Sequence, residues 1–465
     1  MSLWIPNLAD RSGPVYRVIV EALAEDISSG RLPAGSRLPA HRDLAWRLDV
    51  TVGTIARAYA EAARQGLVAG EVGRGTFVLS PTAEEARPVH AYFTEKHFET
   101  EAVIDMAINR PSGDNCVAAV AAAFRRLADN PNLERLLGYQ LETPPLRYRA
   151  AGAAWVAREG VQATPDQVVM TVGGQQSIIT VLGAVTRPGD TIFAEELTYP
   201  GLKVSASLLD RSVEGIAMDD DGLVPEACEH ALQTRTGRVI YCMPTNQNPT
   251  VRTMSLERRQ AIVAVARHYD AIIVEDGIYA SLADSPPPPL CSLAPERSIY
   301  LTALSKSVAP GLRIGFAVAP KHVTARIAAN VSASTLMVPG PLAEVAAMLI
   351  EDGTAAAAND AQKAEAKERM RIAGEILGER FCPPTPAFNL WLHLPPPWRA
   401  DAFAAETYRR GVVVSPAGSF ATTRKVPEAI RVSLSAPHNH DDLRRGLHII
   451  GQLLKGSPNS MGMRV

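Results

Sequence analysis

Thr302-Ala303-Leu304-Ser305-Lys306-Ser307-Val308-Ala309-Pro310-Gly311-Leu312-Arg313-Ile314-Gly315-Phe316 closes an apolar run at a serine and a lysine and reopens it behind an arginine. A lysine at the end of a buried strand is rarely left unpaired, and a Schiff base with an aldehyde resolves its charge. Upstream, Ala271-Ile272-Ile273-Val274-Glu275-Asp276-Gly277-Ile278-Tyr279 ends a second apolar run in a carboxylate, which needs a partner. Pro244-Thr245-Asn246-Gln247-Asn248-Pro249-Thr250 offers an Asn amide at a rigid turn. Thr171-Val172-Gly173-Gly174-Gln175-Gln176-Ser177 leaves a strand and enters a helix, where glycines let backbone N–H groups approach a phosphate. Singly these stretches have bland readings. A tight turn explains the glycines, and Tyr199 in Leu197-Thr198-Tyr199-Pro200 alone reads as core, although it could stack on a flat aromatic group.

The runs Gln167–Thr171, Asp190–Ala194, Arg238–Met243, Ala271–Glu275, Ser298–Ala303 and Arg313–Val318 alternate with helical stretches, which predicts an α/β domain with a mostly parallel sheet. From about residue 340 a helix and three spaced runs, Phe388–Leu394, Val412–Val414 and Ile430–Leu434, predict a smaller α+β lobe. The expected division is residues 1–80, a linker over 81–102, and a domain over 103–465 with lobes at about 103–340 and 341–465. Within the first part, Val15, Ile19 and Leu23 recur at helical spacing up to Gly30. A helix opened by Pro39 follows, and Thr51 can cap a third helix that runs to Gly66. Leu67-Val68 and Gly73–Val78 then read as a two-stranded wing, which completes a winged helix-turn-helix. Its third helix would enter the major groove with Thr51, Thr54 and Arg57. Arg42 would reach phosphate, and Arg74 at the wing tip would enter a minor groove.

The 465 residues allow two or three folded units, and 46% apolar with 21% charged residues is an ordinary globular mix. A net charge of −2 announces no nucleic-acid partner. Yet residues 1–80 hold nine Arg, no Lys and eight acids, and residues 31–57 hold five Arg against two Asp, a mild basic bias. No stretch of about 18 apolar residues predicts a membrane span, and Met1–Asp10 lacks the features of a signal peptide. Five scattered cysteines predict reduced thiols in a cytoplasmic protein, with no disulfide framework and no metal site.

Phosphate loop, Asn-Pro, Asp-x-x-Tyr, Ser-Lys and Arg in that order resemble the fold-type I aminotransferases that use pyridoxal 5′-phosphate (PLP), over roughly residues 103–455. The resemblance implies that Lys306 forms an aldimine with PLP and that Asp276 holds the pyridinium proton. It implies that Asn248 and Tyr279 bond the ring oxygen and that Tyr199 stacks on the ring. The Gly174 and Gln175 amides, Ser305 and Arg313 would hold the phosphate, and Tyr139 would reach the phosphate of a neighbouring subunit. Arg431 would clamp a carboxylate, with Asn109 on the effector side. This chain has Ala303 where the family commonly has Ser or Thr, which leaves open whether Thr302 replaces that hydroxyl. Val251, Thr385–Asn389 and Ile108–Pro111 stand where the family usually has glycines.

The N-terminal elements resemble the GntR family of bacterial regulators, with Val52 and Gly53 where polar or basic residues are usual. The two halves together resemble the MocR group. That resemblance implies a homodimeric, PLP-dependent transcriptional regulator that binds double-stranded DNA and senses an amine or amino acid through exchange of the Lys306 aldimine. An active aminotransferase with an appended DNA-binding module is the alternative expectation.

Overall fold

The structure is a computed structural model that describes residues 4–8, 13–28, 31–33, 36–64, 67–71, 75–78, 103–111, 116–140, 144–378 and 385–456. These fall into two compact units, one within residues 1–95 and one from residue 96 onward.

In the first unit, helices Val15–Ser28, His41–Leu48 and Val52–Arg64 precede β1 (Val68–Glu71) and β2 (Gly75–Val78). The strands pair antiparallel from Val68 opposite Val78. Ile19, Leu23, Leu44, Ile55, Ala58 and Leu67 are buried together, the face that the helical spacing predicts. The Thr51 hydroxyl accepts the Thr54 N–H at 3.2 Å and so caps the third helix. Leu38 donates to the Thr76 carbonyl and Val78 to that of Ser36, each at 2.8 Å, which adds a third edge to the wing. Gly30, Gly66 and Arg74 lie outside the described residues.

The second unit begins with β3 (Ile104–Asp105) and continues through β4 (Val168–Thr171), β5 (Thr191–Glu195) and β6 (Ser212–Ile216). A short pair follows, β7 (Met218–Asp219) and β8 (Gly222–Leu223), then β9 (Val239–Cys242), β10 (Ile272–Asp276), β11 (Ser298–Ala303) and β12 (Gly315–Val318). The seven-stranded sheet has the order β4-β12-β11-β10-β9-β5-β6. Its strands are parallel except β12, which runs antiparallel to both β11 and β4. The reason is length: a parallel return needs a crossover of a dozen or more residues, usually a helix, and the connection from Ala303 to Gly315 is too short. Helices on both sides bury an apolar core that includes Trp155, Val181, Tyr241, Val274, Tyr300 and Phe316.

A second core gathers around β13 (Asn389–His393), β14 (Val412–Val413), β15 (Ser415–Pro416) and β16 (Ala429–Ser433). β13, β16 and β15 form one antiparallel sheet, while β14 pairs in parallel with β3. Ile104 and Met106 therefore pack into this core with Val412, Leu443 and Leu447. That differs from the expected division, which assigned them to the larger lobe.

Helix Leu146–Ala157 rests on the large sheet through Gly152, where a Cβ would stand 2.6 Å from Phe316 Cδ1 and 2.9 Å from Val168 Cγ1. Gly152→Ala should lower stability by about 1–3 kcal/mol from overpacking, despite the better helix propensity of alanine. Thermal unfolding checks this, and an unchanged or raised Tm would refute the close packing.

Candidate functional site

The motif residues meet at the C-terminal edge of the parallel strands, where open α/β sheets place their ligands. β10 ends in Asp276, which is 4% exposed, and the chain turns at once into Tyr279. Burial raises the Asp276 pKa, while hydrogen bonds from the Tyr241 hydroxyl and the Ile278 N–H and the charge of Lys306 pull it down. Lys306 leaves β11, its Nζ lies 5.7 Å from the Tyr279 ring centre, and it donates to the Asn109 carbonyl. Asn248, from the turn after β9, is buried and accepts from Arg431 Nη1 at 2.8 Å.

The helix Gly173–Val185 begins directly after β4 and presents the free N–H groups of its first turn. Gly173 has φ +78, and a Cβ there would stand 2.5 Å from Arg313 Nη2. Only a glycine lets the arginine lie against the helix start, where it donates to the Val172 carbonyl at 3.1 Å. Helix N–H groups and a guanidinium in one cradle suit a phosphate. The Gln175 side chain does something the sequence did not reveal. Its Oε1 accepts from the Tyr199 hydroxyl at 3.0 Å, and its Nε2 donates to the Gly201 carbonyl and to Ser205. The Tyr199 ring is thus fixed beside the helix start.

Ser305 is buried beside Lys306. Thr302 does not replace the hydroxyl missing at Ala303. Successive strand residues face opposite sides, and Thr302 donates to Glu159 at 3.1 Å together with Tyr300 at 3.0 Å. Burial pushes the Glu159 pKa up to about 8, against the hydrogen bonds of those two hydroxyls.

Arg431, on β16, is 4% exposed and stands 4.7 Å from the centre of the Phe420 ring. It donates to the Ala107 carbonyl as well as to Asn248, and its Nε has no hydrogen-bond partner among the described residues. Asn109 lies alongside, with Nδ2 donating to the Tyr279 hydroxyl at 3.2 Å and to Asn389 at 2.8 Å. Its Oδ1 is buried and likewise unpartnered among the described residues. The segment 103–111 therefore threads the pocket, and its carbonyls occupy both the arginine and the lysine.

The structure brings together Gly174, Gln175, Tyr199, Asn248, Asp276, Tyr279, Ser305, Lys306, Arg313, Arg431 and Asn109 at one strand edge. Tyr139 is 80% exposed and stays apart from them. In the first unit Arg42, Thr51 and Arg57 are exposed and Thr54 is half-buried. Thr51 and Thr54 hydroxyls lie 2.9 Å apart, and the Arg57 guanidinium stacks 4.0 Å from the Tyr16 ring centre. Arg74 is outside the described residues. Tyr241, Phe420, Asn389 and the Ala107 carbonyl were missed. Only Tyr241 left a sequence signal, a hydroxyl inside an otherwise apolar strand. A separate surface cavity of about 300 Å³, lined in part by Asp270, Arg297 and His322, opens at the other end of β10 and β11 and shares no residue with this site.

Residues 101–450 match the family "Aminotransferase class I and II", and residues 15–78 match "Bacterial regulatory proteins, gntR family". The chain belongs to the aminotransferase class I and II family and carries a gntR-type domain in front. That pairing is the MocR architecture of transcriptional regulators. It is 30% identical to the uncharacterized HTH-type transcriptional regulator YdeF of Bacillus subtilis, over 97% of this chain and 96% of that one. It is 27% identical to the HTH-type transcriptional regulator TauR of Rhodobacter capsulatus, over 78% and 79% respectively. The fold resembles Pyrococcus horikoshii kynurenine aminotransferase, solved in complex with PMP, with TM-score 0.73, 24% identity and coverage of 81% of this chain and 96% of that one. The gntR-type domain makes this MocR-type chain a DNA-binding regulator, and its aminotransferase fold implies a pyridoxal cofactor. No helix among the described residues is long and apolar enough to cross a membrane.

Glu159, the group that holds Thr302 away from the pocket, yields a pH prediction for this MocR-type regulator. Between its ordinary value of 4.5 and about 8 the folded chain keeps a proton that the unfolded chain has lost. Stability attributable to it therefore falls as pH rises through that window. Glu159→Gln should lessen the fall in Tm between about pH 5 and 8; an equal fall in both proteins would refute the buried, protonated carboxyl.

Proposed function

We propose that this regulator binds PLP at Lys306 and uses it to report a primary amine to its DNA-binding unit. When bound, PLP supplies an aldehyde for which amines compete and a ring whose protonated nitrogen draws electrons. The residues present fit that group. The Gly173 cradle, which a Cβ would fill, supplies Gly174 and Gln175 N–H groups and Arg313 for the phosphate, with Ser305 beside it. Tyr199 would stack on the ring, Asp276 would hold the ring nitrogen's proton, and Asn248 and Tyr279 would bond the ring oxygen. Arg431 Nε and Asn109 Oδ1, buried donor and acceptor without partners among the described residues, face an effector that carries a carboxylate and a hydrogen-bond donor.

The observation that carries the reading is the path of segment 103–111. The chain continuing from the first unit contributes the Ala107 carbonyl to Arg431 and the Asn109 carbonyl to Lys306. A carboxylate on Arg431 competes with Ala107, and engagement of Lys306 by PLP releases Asn109. Ligands that favour one arrangement of this segment bias it, and a ligand indifferent to the two would shift nothing. A homodimer forms part of the proposal. Val117, Leu137 and Leu146 are each more than half exposed, on helices that all pack against Gly340–Glu351, and Tyr139, exposed as well, follows the second of these helices by two residues. Burial against a second copy, with Tyr139 reaching its phosphate, would account for them. Arg42, Thr51, Thr54, Arg57 and Arg74 would contact DNA, and the dimer would read two half-sites. A second reading, a working aminotransferase, is favoured by Arg431 standing beside Asn248; steady turnover of an amino acid with a keto acid would select it.

The test uses the full-length PLP-loaded protein and DNA selected by it from a random pool. Amines that shift the visible spectrum should change DNA affinity, and Lys306→Ala should abolish that response. Arg42→Ala should weaken DNA binding with or without amine and reduce the salt slope by about one. A spectral shift that leaves DNA affinity and footprint unchanged would sink the sensing role.

A further inference from the structure

Tyr241 belongs to none of the motifs that mark the site. It lies in the middle of β9, fully buried, and its register partner on β10 is Val274, two residues before Asp276. Paired residues of parallel strands, and every second residue along them, share a face. The Tyr241 ring therefore lies on the face from which Asp276 projects, one step behind it, and its hydroxyl donates to Asp276 Oδ2. The Ile278 N–H donates to Oδ1 at 3.0 Å. Glu275 takes the opposite face, where it accepts the Cys291 N–H at 2.8 Å near Arg259. The remaining titratable groups that act on this pair are Lys306 beyond β11, Tyr199 beyond β5, and the buried Glu195 and Glu275.

We propose that Tyr241 is a positioning residue for the cofactor: its phenol pins Asp276 so that the carboxylate presents a fixed, charged edge to the ring nitrogen of bound PLP. The inference rests on the cofactor reading above. A buried carboxylate with too few donors takes up a proton or swings to find one. Two of the four acceptor positions of Asp276 are committed, which leaves capacity for the ring N–H. The phenol is a dependable donor, because burial and the neighbouring Asp276 charge hold its pKa well above the ordinary value. Phenylalanine at this position would preserve the ring packing and remove only the donor. Asp276 would then hold the ring nitrogen's proton less firmly. The ring would draw fewer electrons from the nitrogen of Lys306, which would keep its own proton to higher pH.

The experiment is a pH titration of the visible absorption of full-length, PLP-loaded wild type and Tyr241→Phe. The midpoint should move upward by about one pH unit, the equivalent of losing one hydrogen bond to a charged group, with PLP retention reduced about tenfold. In an Asp276→Asn background the same change should move nothing further, since the two side chains act as a unit. A merely structural role would lower Tm and leave the midpoint in place. An unmoved midpoint, or an equal shift with Asp276→Asn, overturns the assignment. If Tyr241→Phe does not fold, fluorotyrosine placed at position 241 provides the reading. Its ¹⁹F resonance should move when PLP is added and not in Asp276→Asn, and a resonance indifferent to PLP overturns the assignment. A wild type that takes up no PLP overturns the cofactor reading and this one together.

Discussion

A half-buried lysine and a buried aspartate at the ends of neighbouring strands must both find polar partners. The rest of the site follows from that constraint. Burial of Asp276 raises its pKa, and Tyr241, the Ile278 N–H and the field of Lys306 oppose that rise. Lys306 leans on a backbone carbonyl, and the buried Arg431 leans on a carbonyl and an amide oxygen. Backbone carbonyls are adequate partners for these cations but weaker than anions. A phosphate, a pyridine nitrogen and a carboxylate would each improve on what they find there.

The strand-end residues were legible because a parallel sheet collects polar side chains at one edge, and each announced itself as a charge or an amide that interrupts an apolar run. Lys306, Asp276, Asn248, Arg313 and the paired glycines were readable for that reason, as was Arg431 within Ile430–Ser433. Backbone acceptors leave no trace in a sequence, so the roles of Ala107 and of the Asn109 carbonyl were not readable. The direction of β12 was equally silent, because a fully buried strand reads the same whichever way it runs. Thr302 and Ala303 show how much a single position decides. The choice between them turned on which face of β11 each occupies, and Glu159 claims the threonine from the side away from the pocket.

The segment after residue 102 joins the second core to the pocket. It pairs with β14 through Ile104 and Asp105, buries Met106 in the second core, and then delivers Ala107, Ile108 and Asn109 to the pocket within three residues. Ser433 fixes it further, donating its N–H to the Met106 carbonyl at 2.7 Å and its hydroxyl to that of Ile108 at 3.2 Å. Under the proposed reading, ligands of Lys306 and Arg431 would compete with contacts to the chain itself. Such competition is costly for an enzyme that must turn over and useful for a protein that must register occupancy.

Thermodynamic linkage tests that account most directly. If an amine that reacts at the cofactor site changes operator affinity by some factor, the operator must change the amine's affinity by the same factor. Both can be measured on the PLP-loaded protein, one by DNA titration at fixed amine and the other by the visible band with and without operator. The account predicts two equal factors within the range of about 5 to 150 that is typical of allosteric coupling. A full spectral response with both factors equal to one would contradict it.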